Sequence, residues 1–183
     1  MLAGKQAVTV AEYEDFIVQP ENLERRFELI EGEIVEKMPT QQHGIITLNL
    51  AGELRAFVRG KSLGRVAVEA RCRPPDDSLN DRLPDISFVA DLSKPVTEDG
   101  AVPFMPDLAV EIKSPTDSFR KLREKARFYL AHGVRLVWLV FPEQQVVEVY
   151  PADDEYILSA DQALTGGDLL PGFTLPVRQI FEV

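Results

Sequence analysis

A chain of 183 residues, 45% hydrophobic and 27% charged, is long enough for one or at most two globular domains and too apolar for extended disorder. At this length folding removes roughly 70% of the unfolded chain's surface from water, so a core can form without metal or disulfide staples, and the single cysteine, Cys72, cannot form an intramolecular disulfide. With 30 acidic against 20 basic residues the net charge is −10, which weighs against nonspecific coating of nucleic acid but leaves room for a local site of opposite sign.

Thr9 and Glu12 have the spacing of a capping box, in which hydroxyl and carboxylate each satisfy the other's orphan backbone donor, and Pro20 closes the segment. Residues 9 to 18 therefore read as a short helix. Alternating residues on either side of Glu31-Gly32 predict a β-hairpin, ended by Pro39. Between His43 and Val58, Ile46, Leu50, Leu54 and Phe57 recur at helical spacing and predict an amphipathic helix. Gly64 to Arg73 alternates, with Val66, Val68, Ala70 and Cys72 on one face, as a half-buried strand would. Cys72 then reads as a core residue.

Pro74 to Ser78 is a loop by composition, Leu83 to Ala90 resumes strand character, and Asp91 to Pro106 is a second loop. Asp107 to Lys113 reads as a strand. Ser114-Pro115-Thr116-Asp117 stops it and starts a helix with an apolar face of Phe119, Leu122, Ala126, Tyr129 and Leu130, ended by Gly133. Val134 to Phe141 is a nearly continuous β-branched and aromatic run, the mark of a strand buried on both faces, and Val146 to Tyr150 pairs with it across Pro142-Glu143-Gln144. The pieces around Gly166-Gly167-Asp168 and Leu169 to Phe173 predict a packed C-terminal extension.

The order helix, three strands, helix, strand predicts an α/β or α+β fold with a mixed sheet. The whole chain, 1–183, reads as one domain: an N-terminal helix and hairpin (1–38), a core (41–141) and a C-terminal extension with added strands (145–183). No G-x-G-x-x-G or G-x-x-x-x-G-K-[ST] turn is present, so no nucleotide cofactor is expected. The longest apolar stretch, interrupted by Arg135, is far short of the ~20 residues that cross a bilayer. Nor does the start combine a basic segment with an apolar one, so the expectation is a cytoplasmic protein with no membrane partner.

Strand alternation puts Asp107, Ala109, Glu111 and Lys113 on one face and Leu108, Val110 and Ile112 on the other. Asp85, at the start of the preceding strand, faces Glu111 if the two strands pair. Two carboxylates and a lysine then converge. Mg²⁺ prefers oxygen ligands and is usually held by one or two carboxylates, with water and substrate phosphate filling the remaining positions. Asp85 and Glu111 suit that task, and the point charge of Lys113 suits orienting a water or offsetting charge in a transition state.

Pro84-Asp85 followed by Glu111-Ile112-Lys113 resembles the signature of the PD-(D/E)XK nuclease superfamily, the restriction-endonuclease-like fold. Phe27 to Glu33, His43-Gly44, Leu83 to Ile86, Val110 to Pro115, Lys125 with Tyr129, Gly133-Val134, Trp138 to Val140 and Leu170 to Phe173 together are similar to the Uma-two family over most of the chain. The resemblance implies an αβββαβ core, Mg²⁺ or Mn²⁺ as cofactor, and DNA as substrate. It implies Asp85 and Glu111 as metal ligands, Lys113 as the water-activating lysine, and the Ile112 carbonyl as a further ligand. Lys125, on the following helix, is the supporting catalytic candidate, because in many relatives a helical lysine is proposed to substitute for the one on the strand.

Other residues weigh toward ordinary roles. Asp107 reads as a strand-entry residue, and Glu69 either binds a second cation or only solubilises. His43, on the inward face of its helix, reads first as a hydrogen-bonded structural histidine and second as catalytic. With two histidines, His43 and His132, and one cysteine, a zinc site is disfavoured. Ser114 lacks a recognisable histidine base, and Trp138 reads as core. The leading expectation is a Mg²⁺-dependent DNA endonuclease. The rivals are a catalytically inactive binding or assembly module and a metal-free acid/base hydrolase. Symmetric pairing makes a homodimer the default assembly.

Overall fold

The computed structural model describes residues 6–182, which divide into two compact units. One gathers the chain up to Met38 with Arg71–Leu83 and Thr97–Phe104; the other comprises Pro39–Ala70, Pro84–Val96 and the chain from Met105 onward.

In the first unit, Thr9 caps helix α1 (Val10–Ile17), and Glu12 closes the capping box by accepting the Thr9 N–H at 2.8 Å. Strands β1 (Arg26–Ile30) and β2 (Glu33–Lys37) pair as the expected hairpin. Its turn residues Glu31 and Gly32 both have positive φ, 50° and 78°, the geometry whose twist matches the flanking strands. Tyr13, Phe27 and Leu29 form a small core, and the Tyr13 hydroxyl donates to the Phe27 carbonyl at 2.7 Å. The fully buried Asp81 is paired with Arg71 at 2.7 Å and Arg73 at 2.8 Å, as a buried charge must be.

The second unit opens with α2 (Gln41–Arg59), capped by Thr40, followed by β3 (Arg65–Val68), β4 (Ile86–Val89), β5 (Leu108–Ile112), α3 (Phe119–Ala131) and β6 (Leu136–Phe141). This is the expected αβββαβ order. It continues with β7 (Val146–Pro151), β8 (Tyr156–Leu158), the hairpin of β9 (Ala163–Gly166) and β10 (Leu170–Pro176), and a turn of helix α4 (Val177–Ile180). Strands β3 to β8 form one sheet in sequence order, antiparallel except for β5 beside β6. That parallel pair requires a crossover, which α3 supplies. Every residue of β5 and β6 is buried, as their apolar composition predicts for central strands. Ile46, Leu50, Leu54 and Val58 of α2 share one core with Ile86, Phe88, Leu108, Val110, Ile112, Trp138 and Val140.

The strand expected over Gly64 to Arg73 is shorter. It ends at Val68, because Glu69 takes a left-handed φ of 47° that leaves the ladder, and Val68 is 52% exposed instead of facing a core. Cys72 is buried as expected, but within the first unit, where it bridges to Arg82 and Val102. Among the described residues no helix is long and apolar enough to cross a membrane.

Candidate active site

The β4–β5 ladder ends with Ile86 opposite Val110, so Asp85 and Glu111 each stand one residue beyond the last pair. There the Asp85 N–H donates to the Val110 carbonyl at 3.0 Å, and the Asp85 carboxylate takes over as acceptor for the Ile112 N–H, at 2.6 Å from Oδ2. Asp85 thus caps the end of β5 with its side chain where the backbone of β4 no longer reaches. On the same oxygen stands His43, in the first turn of α2, with Nε2 at 3.1 Å. Both side chains are buried.

Glu111 is held from the other side of the sheet's end. Tyr129 donates its hydroxyl to Oε1 at 2.6 Å and Lys125 donates its ammonium to Oε2 at 3.0 Å. Four residues apart on α3, these two partners lie on one helix face by geometry, which is why a single carboxylate can accept from both. Their spacing was visible in the sequence, but Tyr129 reads there as apolar core and its hydroxyl carries no separate signal.

Lys113 lies on the face of Glu111 by alternation, yet its ammonium turns past the end of β5. It donates to the Ser114 carbonyl at 3.3 Å, stands 3.5 Å from Glu143 and lies 5.4 Å from the centre of the Phe119 ring. The cation hydrogen-bonded to Glu111 is therefore Lys125. Asp107 sits at the opposite end of β5, accepting the Ala90 N–H at 2.8 Å, in keeping with strand entry. Glu69 is exposed and donates its N–H to the Asp85 carbonyl at 3.2 Å. His132 is exposed at the end of α3, and Ser114 donates its N–H to Asp117 in the turn before that helix.

Among the described residues no three His, Cys, Asp or Glu side chains form a group that could hold a metal ion. The donor set of Asp85 and Glu111 nonetheless suits a hard divalent cation of the Mg²⁺ type, which takes one or two carboxylates and completes its shell with water and substrate oxygens.

The family described as "Putative restriction endonuclease", Uma2, matches residues 10–178. The chain belongs to the Uma2 family. A solved structure described as a "putative nuclease belonging to DUF820", from Anabaena variabilis ATCC 29413, superposes with a TM-score of 0.80 at 25% sequence identity, covering 95% of this chain and 97% of that one. No curated protein matches. The mixed six-stranded sheet with its helices and this likeness give the Uma2 protein a restriction-endonuclease-like fold.

Proposed function

We propose that this Uma2 protein is a PD-(D/E)XK endonuclease that hydrolyses DNA phosphodiester bonds with a water organised by Mg²⁺ or Mn²⁺. The observation that carries this reading is the placement of Asp85 and Glu111 just beyond the last pair of the β4–β5 ladder, with the Lys125 ammonium on the second carboxylate. The family description and the Anabaena structure's description as a nuclease support it.

Asp85 and Glu111 would hold the ion, which when bound supplies charge to polarise the scissile phosphate and to acidify a water. His43 and the Ile112 N–H fix the Asp85 carboxylate, and Tyr129 fixes that of Glu111. Lys125 is the cation placed to offset negative charge beside Glu111. Lys113, the strand lysine of the signature, acts at the rim through Glu143. The protein acts in the cytoplasm, as a homodimer.

The test is incubation of purified protein with supercoiled, single-stranded and branched DNA in Mn²⁺, beside Glu111→Gln. Cleavage by the wild type alone is the expected result. The net charge of −10 favours a second reading, a nuclease fold kept as a noncatalytic binding or assembly module. An absence of cutting on every substrate at any protein concentration establishes that reading and overturns the first.

A further inference from the structure

Positive charge in this acidic protein is concentrated on one element. Helix α3 carries Arg120, Lys121, Arg123, Lys125 and Arg127 against a single acid, Glu124, a net of +4, so the rest of the chain carries −14. Such a helix works against its own electrostatics in two ways. Its first turn contains Arg120 and Lys121 and no acid, although the positive end of the helix dipole favours carboxylates there. Like charges also stack one turn apart, Lys121 with Lys125 and Arg123 with Arg127, and such pairs destabilise an isolated helix. One opposing contact, Arg120 with Glu124 at 3.7 Å, lies fully on the surface.

Two of the five cations have internal duties. Arg123 makes a two-point pair with Glu148, and Lys125 is hydrogen-bonded to Glu111. Arg120, Lys121 and Arg127 are exposed. Lys121 stands one turn before Lys125, about 6 Å along the axis, so the exposed charges lead toward the carboxylate of the candidate site. At the same end of α3 the ring of Phe119 is 39% exposed and stacked on Phe141 at 5.1 Å, with the Lys113 ammonium 5.4 Å from its centre.

We infer that the outward face of α3, through Arg120, Lys121 and Arg127, is the surface on which this protein seats the sugar–phosphate backbone of duplex DNA. A polyanion lying there relieves the unfavourable first turn and faces the three exposed cations, whose ladder partners Lys125 and Arg123 are already matched by Glu111 and Glu148, and no other helix of the described residues offers such a surplus of basic residues. The inference rests on the nuclease reading for its choice of ligand, and it deepens that reading by naming where the substrate docks.

The experiment measures binding of a fluorescent DNA duplex in chelator across a salt series, for the wild type and for R120Q/K121Q/R127Q. Neutral residues in the first turn suit the helix dipole better than cations do, so α3 should survive, and the thermal unfolding midpoint of the variant checks this. Each phosphate contact contributes about 0.9 to the slope of log K against log salt, so the triple variant should lose about 2.7 from the slope and bind at least tenfold more weakly at low salt. An unchanged slope in the folded variant overturns the inference, while Mn²⁺-dependent cleavage by the wild type keeps the nuclease reading intact. Salt-dependent binding that the variant loses, without cleavage of any substrate, supports the surface and removes the nuclease. A wild type that binds no duplex overturns the inference outright.

Discussion

Glu111 and Glu148 stand in one row across the sheet, on either side of Leu139, because β5 pairs Glu111 with Leu139 and β7 pairs Leu139 with Glu148. Two strand spacings separate them, about 10 Å. Helix α3 spans that gap, reaching Glu111 through Lys125 and Tyr129 and Glu148 through Arg123. Tyr150 adds a hydroxyl to Glu148 at 2.7 Å. Rotation of α3 about its axis is thereby fixed at two points, and the Glu148 anchor sets where Lys125 falls.

Burial raises the pKa of Glu148, but the hydrogen bonds from Arg123 and Tyr150 and the Arg123 charge outweigh it and hold the carboxyl below its ordinary value. Burial, followed by the bond to Glu148, pushes the Tyr150 phenol up to about 12. A carboxyl with a depressed folded pKa stabilises the protein above its unfolded value of about 4.3 and loses that contribution as pH falls through the folded value. Glu148→Gln should cost about 1–2 kcal/mol at neutral pH, reduced from a fully buried pair because Arg123 is partly solvated, and should flatten the acid limb of stability below pH ~4.3. Urea unfolding across pH checks both. On cleavage the variant should lower kcat with little change in KM, and a KM-only effect would show that the anchor does not position Lys125.

The two lysines are separated by their partners. Lys125 touches Glu111, whereas Lys113 touches Glu143 and a backbone carbonyl. Lys125→Met should reduce Mn²⁺-dependent cleavage by about 10²–10⁴-fold, the usual range for losing a positioned proton-transfer or charge-stabilising group, and Lys113→Met by a smaller factor. Single-turnover rates on one DNA substrate decide it, and a larger loss from Lys113→Met reverses the assignment.

His43 holds its Nε2 3.1 Å from Oδ2 of Asp85, the candidate metal ligand. Partners that orient a ligating carboxylate typically contribute 10–100-fold in metal affinity or activity. His43→Gln should weaken Mn²⁺ binding in calorimetry within that range while the helix, still capped by Thr40, keeps its stability. An unchanged dissociation constant would assign His43 to packing alone.

Periodicity made the αβββαβ order readable, because β5 and β6 are apolar at nearly every position and the helices carry regular apolar stripes. The strand pattern likewise set Asp85 and Glu111 one residue beyond the last β4–β5 pair, since where strands run is a property of the backbone. What alternation does not encode is where a long side chain ends. Lys113 and Lys125 each have four rotatable carbons, so their ammonium positions depend on Glu143, Glu111 and the height of α3, none of which is local in sequence. The bend at Glu69 was hidden for another reason. Val66, Val68, Ala70 and Cys72 keep the period of a strand through a residue whose left-handed φ breaks it.

The hairpin turn offers the sharpest test of local backbone chemistry in the first unit. Gly32 has a φ of 78°, and a Cβ built there would stand 2.5 Å from the Cβ of Ala7. Gly32→Ala therefore meets two penalties, a strained conformation and a collision with Ala7, against the small gain that alanine normally brings by restricting the unfolded chain. The substitution should destabilise the protein by more than about 1 kcal/mol. Its signature is local: hydrogen exchange should quicken at the amides of Val8 and Leu29, which pair with Gly32 and Asp81, and uniform protection at those positions would count against a strained turn.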